Sequence, residues 1–313
     1  MKKVIYKQFG GVEVLELAEV PQPALTPGAV LVRVKAVSLN PLDWKIRQGE
    51  MKLVAGSKFP KGVGIDFAGV VEAVGEAVSG FRPRDEVFGL MDVFKGGALA
   101  EYVVVPDADL VLKPANLSFA QAAALPVVGS AALQVFDQLV AVGPGTEILL
   151  NGASGGIGMV ATQLARQRGA HVTAVVGLAG VAQARQWGSD VVLNYREHDV
   201  RHLGRRYDVV LDLSGKLSFH AARSLLKPTG TYINTVPGPR EIVGSFLHNL
   251  VSQQKYRVLM LKPTPAYLRE LAALAARGLN VVVSQTYPMA DFQRAYAEVA
   301  RGGVVGKAVL TVP

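Results

Sequence analysis

The chain has 313 residues, room for about two domains at ~150 residues each, and half of its residues are hydrophobic. It contains no cysteine, which excludes disulfide frameworks, thiolate metal sites and cysteine nucleophiles. Its net charge of +8 is unevenly placed: residues 1–118 carry 14 basic and 14 acidic side chains, 119–262 carry 14 and 8, and 263–313 carry 5 and 3. The central third therefore favours an anionic ligand such as a phosphate.

Met1-Lys2-Lys3 looks like a signal n-region, but Lys7, Glu13, Glu16 and Glu19 interrupt any apolar run behind it. A cytoplasmic protein is expected. The uncharged stretch from Pro114 to Phe136 is long enough to span a membrane, yet Asn116, Gln121, Pro126, Gly129, Ser130 and Gln134 make buried helices the better reading.

The first third is β-rich. Runs such as Val30 to Val37 and Ala68 to Val74 are divided by Gly and Pro, which gives an antiparallel, barrel-like pattern. From Ser118, a cap residue before helix formers, the period changes. Apolar runs at 147–151, 171–176, 190–194, 207–212 and 230–234 then alternate with helix-compatible segments, the pattern of a doubly wound parallel sheet in an α/β fold. Helices around Tyr267 to Arg277 and Asp291 to Arg301 and a closing strand Lys307 to Val312 return to the N-terminal β domain. The expected domains are 1–118 plus 263–313, and 119–262. Met51 to Lys61 and Pro237 to Asn249 read as pocket-shaping loops.

The sharpest motif runs from Glu147 to Gly158, where an apolar strand enters a Gly-rich turn and leaves as a helix. Such a turn aims backbone N–H groups and the positive helix end at one point, where a pyrophosphate fits. Ala153 takes the first position of the G-x-G-x-x-G pattern and Gly155 and Gly158 the others, with Ser154, Gly156 and Ile157 between them. No acid follows the second strand, where NAD binders hold the ribose 2′-OH, so NADP(H) is the expected cofactor. Gly177-Leu178-Ala179-Gly180 offers no hydroxyl or cation for a 2′-phosphate, which leaves Tyr195 and Arg196, with Arg185 behind them, as candidates.

Asn40 to Lys45, Gly64 to Val71, Gly97 to Tyr102, the glycine loop, Gly215 to Phe219 and Gly306 to Leu310 together resemble the zinc-independent quinone oxidoreductase branch of the medium-chain dehydrogenase/reductase superfamily. The resemblance spans nearly the whole chain in the expected order. It implies a Rossmann-type domain inserted in a GroES-like β-rich catalytic domain, with the cofactor in the cleft between them. It also implies NADPH-dependent reduction of a quinone or α,β-unsaturated carbonyl, a small electrophilic substrate. A homodimer is expected. Zinc-dependent relatives place a Cys where Asn40 stands and a His where Ile65 stands, so no metal site is expected. His198 and His202, four apart, lack an accompanying base and lie in a basic segment, as in an exposed turn.

Hydride transfer asks the protein chiefly for positioning and for a donor to the developing enolate oxygen. Asn40 is the candidate to donate to the substrate oxygen or to hold the nicotinamide ribose, and Lys45 to stabilise the enolate or to hydrogen-bond a cofactor hydroxyl. Asp43 is expected to be structural and Asp66 to order a cleft strand. Where relatives carry Thr, this chain has Ala131, and the neighbouring Ser130 is the candidate cofactor contact. The competing reading, a nucleotide-sensing or RNA-binding protein on the same fold, is disfavoured by scattered basic residues and no interleaved aromatics.

Overall fold

The computed structural model describes residues 1–202 and 204–313. In chain order the first strands are β1 (Lys2–Tyr6), β2 (Leu15–Glu19), β3 (Ala29–Ser38), β4 (Lys61–Gly62), β5 (Asp66–Val74), β6 (Glu86–Leu90), β7 (Tyr102–Pro106) and β8 (Leu110–Leu112). Helices α1 (Pro41–Arg47) and α2 (Lys52–Ala55) interrupt them, and α3 (Phe119–Ala123) and α4 (Pro126–Gln134) follow. Ser118 caps α3 by accepting from the Gln121 N–H (3.2 Å), while the Gln121 side chain accepts from the Ser118 N–H (3.0 Å).

The second run comprises β9 (Glu147–Asn151), α5 (Gly156–Gln167), β10 (His171–Val176), α6 (Val181–Gln186), β11 (Val191–Asn194), β12 (Tyr207–Asp212), α7 (Phe219–Ala222), β13 (Leu226–Asn234), α8 (Pro239–Val251) and β14 (Lys255–Val258). The chain closes with α9 (Pro265–Ala276), β15 (Val283–Pro288), α10 (Phe292–Ala300) and β16 (Lys307–Thr311).

These elements form two compact units, 1–127 with 263–313, and 128–262. Helix α3 packs on β3, β5, β6 and β16, so the first unit extends past the boundary expected at residue 118. Within that unit one sheet has the order β15-β16-β3-β5-β6-β8 with β7 also on β3, and a second has the order β2-β1-β4. Strand β3 lies at the centre because seven of its ten residues are apolar, four of them Val, and only Arg33 and Lys35 in it reach partial exposure.

The other unit is a six-stranded sheet in the order β11-β10-β9-β12-β13-β14, parallel at every pairing. This order reverses between β9 and β12, which places the switch point beside the glycine loop. Ile148, Leu149 and Leu150 of β9 are wholly buried, as expected for a strand covered on both faces. The segment from Pro237 to Asn249 is a correction to the sequence reading: most of it is the helix α8. Among the described residues no helix is long and apolar enough to cross a membrane.

Candidate functional site

In the parallel-sheet unit the glycine loop joins β9 to α5. Gly152 takes a positive φ of 88°, and a Cβ there would press on Ser214 at 3.1 Å. The tight turn is thus made one residue before the motif's first position, which is why Ala153 is tolerated there. The N–H groups of Gly152 and Ala153 both donate to the Val175 carbonyl (2.9 and 3.1 Å), tying the loop to β10. A Cβ on Gly158 would collide with the Ala153 backbone, so this glycine permits the close approach of helix and strand. Gly155 differs: a Cβ there would meet nothing nearer than the Gly152 carbonyl at 3.7 Å.

Among the described residues no side chain caps α5, whose first residues are Gly156, Ile157 and Gly158. Free first-turn N–H groups beside an open space at Gly155 fit the pyrophosphate of a dinucleotide.

Two further candidates lie around the turn that follows β10. Ser154 sits against Gly180, and the Tyr195 ring approaches the Cβ position of Gly177 to 3.2 Å. Arg196 is exposed, its N–H donates to Asn194 Oδ1 (3.2 Å), and its guanidinium has no ion-pair partner among the described residues. Ser130, on α4, is fully buried, and its Oγ has no hydrogen-bond partner among the described residues. His198 and His202 flank an exposed turn, in which Asp199 pairs with Arg201 at 2.6 Å.

A cavity of about 440 Å³ in this unit is lined among others by Lys216, Tyr232, Asn234 and Tyr256, and by Gly238, Arg240, Glu241 and Gly244 from the segment read as pocket-shaping in the sequence. It lies at the carboxyl ends of β12 and β13, contributed by segments far apart in the chain.

In the β-rich unit the candidate residues meet in a buried polar cluster. Asp66 accepts from Ser38 Oγ, Asn40 Nδ2 and the Val127 N–H, each at 3.0 Å. Lys307, at the start of β16, donates to the Leu39 carbonyl (2.7 Å) and to Asn40 Oδ1 (2.6 Å). Because Lys307 only donates and Asp66 only accepts, the Asn40 amide has a single orientation. Sequence analysis gave Lys307 no role. Its signal was a cation opening an otherwise apolar closing strand.

Burial raises the Asp66 carboxyl above the ordinary carboxylate range, against the opposing effect of Lys307 and its donors. Burial lowers the Lys307 ammonium, against the pull of Asp66 and Asp43. Asp43 is pushed up to about 7, chiefly by burial, although the Asn40 N–H donates to its Oδ2 at 2.9 Å. Tyr296 donates to the same oxygen (3.2 Å), and Asp43 Oδ1 has no hydrogen-bond partner among the described residues. Asp43 is thus a buried structural carboxyl. Lys45 is half-buried on α1 and forms no ion pair among the described residues. Ile65, where zinc-dependent relatives carry a ligand, is buried.

An uncapped, glycine-lined helix at the switch point of a doubly wound sheet, joined to a β-rich unit, defines a two-domain protein of the dinucleotide-binding type. A family model for the alcohol dehydrogenase GroES-like domain matches residues 26–115, and one described as zinc-binding dehydrogenase matches 187–310. The chloroplast quinone oxidoreductase QR1 of Triphysaria versicolor is 32% identical over 322 residues, covering 99% of this chain and 98% of that one. The NADPH-dependent alkenal/one oxidoreductase of Arabidopsis thaliana is 35% identical over 262 residues, covering 78% and 66%. The quinone oxidoreductase structure from Coxiella burnetii superposes with a TM-score of 0.91 at 29% identity, covering 100% of this chain and 99% of that one. The Escherichia coli quinone oxidoreductase complexed with NADPH gives 0.86 at 26%, covering 99% and 100%. The chain belongs to the quinone oxidoreductase branch of the medium-chain dehydrogenase/reductase superfamily and is an oxidoreductase.

Proposed function

We propose that this protein is an NADPH-dependent, metal-free reductase that delivers hydride to a quinone or an α,β-unsaturated carbonyl. The observation that carries the reading is the uncapped N-terminus of α5 with open space at Gly155. The relatives named as quinone and alkenal/one oxidoreductases support the substrate class.

When bound, NADPH supplies the hydride. Gly155 to Gly158 and the first-turn N–H groups of α5 hold its pyrophosphate. Arg196, an exposed cation without an ion partner, meets the 2′-phosphate, with Tyr195 and Ser154 beside the turn that follows β10. The absence of an acid after β10 supports the phosphate form over NADH. Lys45 donates to the enolate oxygen, which gathers charge as hydride reaches the β-carbon. Asn40 has one amide hydrogen left beyond its bond to Asp66 and helps to position the same oxygen. Release of the product takes one proton from solvent.

A metal has no place in this reading because the ammonium of Lys307 lies 2.6 Å from Asn40 Oδ1, which would repel a second cation there. An RNA-binding reading is further weakened because Arg166, Arg168, Arg201 and Lys227 are each engaged with an aspartate. NADPH oxidation across a panel of quinones, enals and enones tests the assignment, and no turnover with any of them refutes it. Fluorescence titration should give tighter binding of NADPH than NADH, and Arg196→Ala should erase most of that difference. Equal affinities in the unaltered protein would sink the NADPH preference.

A further inference from the structure

The backbone of Asn40 is fixed at the start of α1: its N–H donates to Asp43 Oδ2 (2.9 Å) and its carbonyl accepts from the Asp43 N–H (3.0 Å). Neither bond sets the side chain. A carboxamide turned over about its last torsion fills the same space with nitrogen and oxygen exchanged, so its direction is decided by its partners. Those partners come from the strands on either side of β3, Lys307 from the start of β16 and Asp66 from the start of β5.

Each partner is itself held. Lys307 is 4% exposed and its ammonium also donates to the Leu39 carbonyl (2.7 Å), while the Leu39 N–H returns a bond to the Ala308 carbonyl (3.0 Å). Asp66 is wholly buried and accepts, besides Asn40, from Ser38 Oγ and from the Val127 N–H in the first turn of α4. A buried lysine ordinarily meets its acid directly. Among the described residues Lys307 forms no direct ion pair, and the Asn40 amide stands between the two charges, with Oδ1 on the ammonium (2.6 Å) and Nδ2 on the carboxylate (3.0 Å).

In this orientation the second Nδ2 hydrogen remains as a donor. Reversal would put an oxygen lone pair where that hydrogen points, and a substrate oxygen gathering negative charge would be repelled instead of bound. The ammonium has a second effect. The Asp66 carboxylate, 3.0 Å from Asn40 Nδ2, opposes negative charge on a bound oxygen, and Lys307 offsets it across the same amide. Both effects grow with the charge on the substrate oxygen, so they act on the transition state more than on the bound ground state.

We propose that Lys307 is a positioning residue for hydride transfer: without touching substrate, it holds the Asn40 amide with a hydrogen toward the substrate oxygen and offsets the charge of Asp66. The proposal rests on the assignment of Asn40 to that oxygen.

A double-mutant cycle tests it, with NADPH and whichever quinone or enone the unaltered chain reduces fastest. N40A, K307M and N40A/K307M are compared by kcat and KM below the melting temperature of each, with NADPH affinity read by fluorescence titration. N40A and K307M should each lower kcat by about 100-fold, as for one lost oxyanion donor, with KM and NADPH affinity little changed. The double variant should fall no further than either single one, because both remove the same interaction. A merely structural lysine would depress the active fraction in both backgrounds, and the two losses would multiply. Should K307M fail to fold, K307Q, which keeps a donor and loses the charge, replaces it in the cycle, with a smaller loss of kcat that again vanishes in the N40A background. Multiplying losses overturn the proposal, as do an unchanged kcat in the Lys307 variant or a matching loss of NADPH affinity. An unaltered chain that reduces no acceptor refutes the reaction and the proposal with it, whereas turnover with multiplying losses overturns the proposal alone.

Discussion

Replacing Lys307 by Met keeps the chain length of a buried side chain while removing its charge and its donors. The Leu39 carbonyl and Asn40 Oδ1 lose a partner that now stands at 2.7 and 2.6 Å, each a loss of about 1–3 kcal/mol. Asp66 loses its opposing charge in a fully buried site. These effects share one network and do not add, so the combined cost is about 3–5 kcal/mol, as for other buried pairs broken from one side. At about 2–4 °C per kcal/mol for a unit of this size, differential scanning calorimetry should show a drop of roughly 6–20 °C. The drop should depend on pH. Burial already raises Asp66 above its unfolded value, and loss of Lys307 raises it further. A carboxyl raised in the folded state costs stability as pH climbs from its unfolded to its folded pKa. The deficit should therefore be larger near about pH 8 than near about pH 5. A variant melting within about 2 °C of the unaltered protein, or a deficit equal at both pH values, would refute the role given to Lys307.

Gly155→Val should abolish NADPH binding in a folded protein, since the nearest atom to its Cβ is 3.7 Å away and the space is that required by the pyrophosphate. Gly158→Ala should instead lower the melting temperature, because its Cβ strikes the Ala153 backbone; the reverse pattern in paired binding and melting measurements would count against the loop assignment. Asp43 stands near 7 in the folded state against 3.8 as its ordinary value, so its contribution to stability declines as pH rises between the two. Asp43→Asn should flatten that decline in denaturant titrations across the range, and parallel curves would contradict it. Lys45→Met should lower turnover by about 10²-fold, the effect of one lost oxyanion donor, with little change in NADPH affinity, and unchanged turnover would remove Lys45 from the reaction.

The features legible in the linear chain are those made within a short span. The glycine loop is one, because strand, turn and helix follow each other within residues 147–158 and the donors proposed for a pyrophosphate come from that backbone. Strands β9, β10 and β12 are another, since a parallel strand buried on both faces leaves a continuous apolar run. Strands β14 and β15 escaped notice because they lie at sheet edges, where Lys255-Tyr256-Arg257-Val258 alternates polar and apolar residues and Val283 to Pro288 carries three polar residues in a row. Helix α8 read as a loop because Gly238, Pro239 and Gly244 signal a break. The family resemblance brought Asn40 to attention as a donor, but only the fold shows its amide held at both ends, by a carboxylate 26 residues away and an ammonium 267 residues away. Local propensity and periodicity act over a few residues and so reach the loop and the buried strands. The protonation balance of Asp43, Asp66 and Lys307 arises from desolvation at a point where β3, α1, β5 and β16 converge, and that convergence exists only in the tertiary structure.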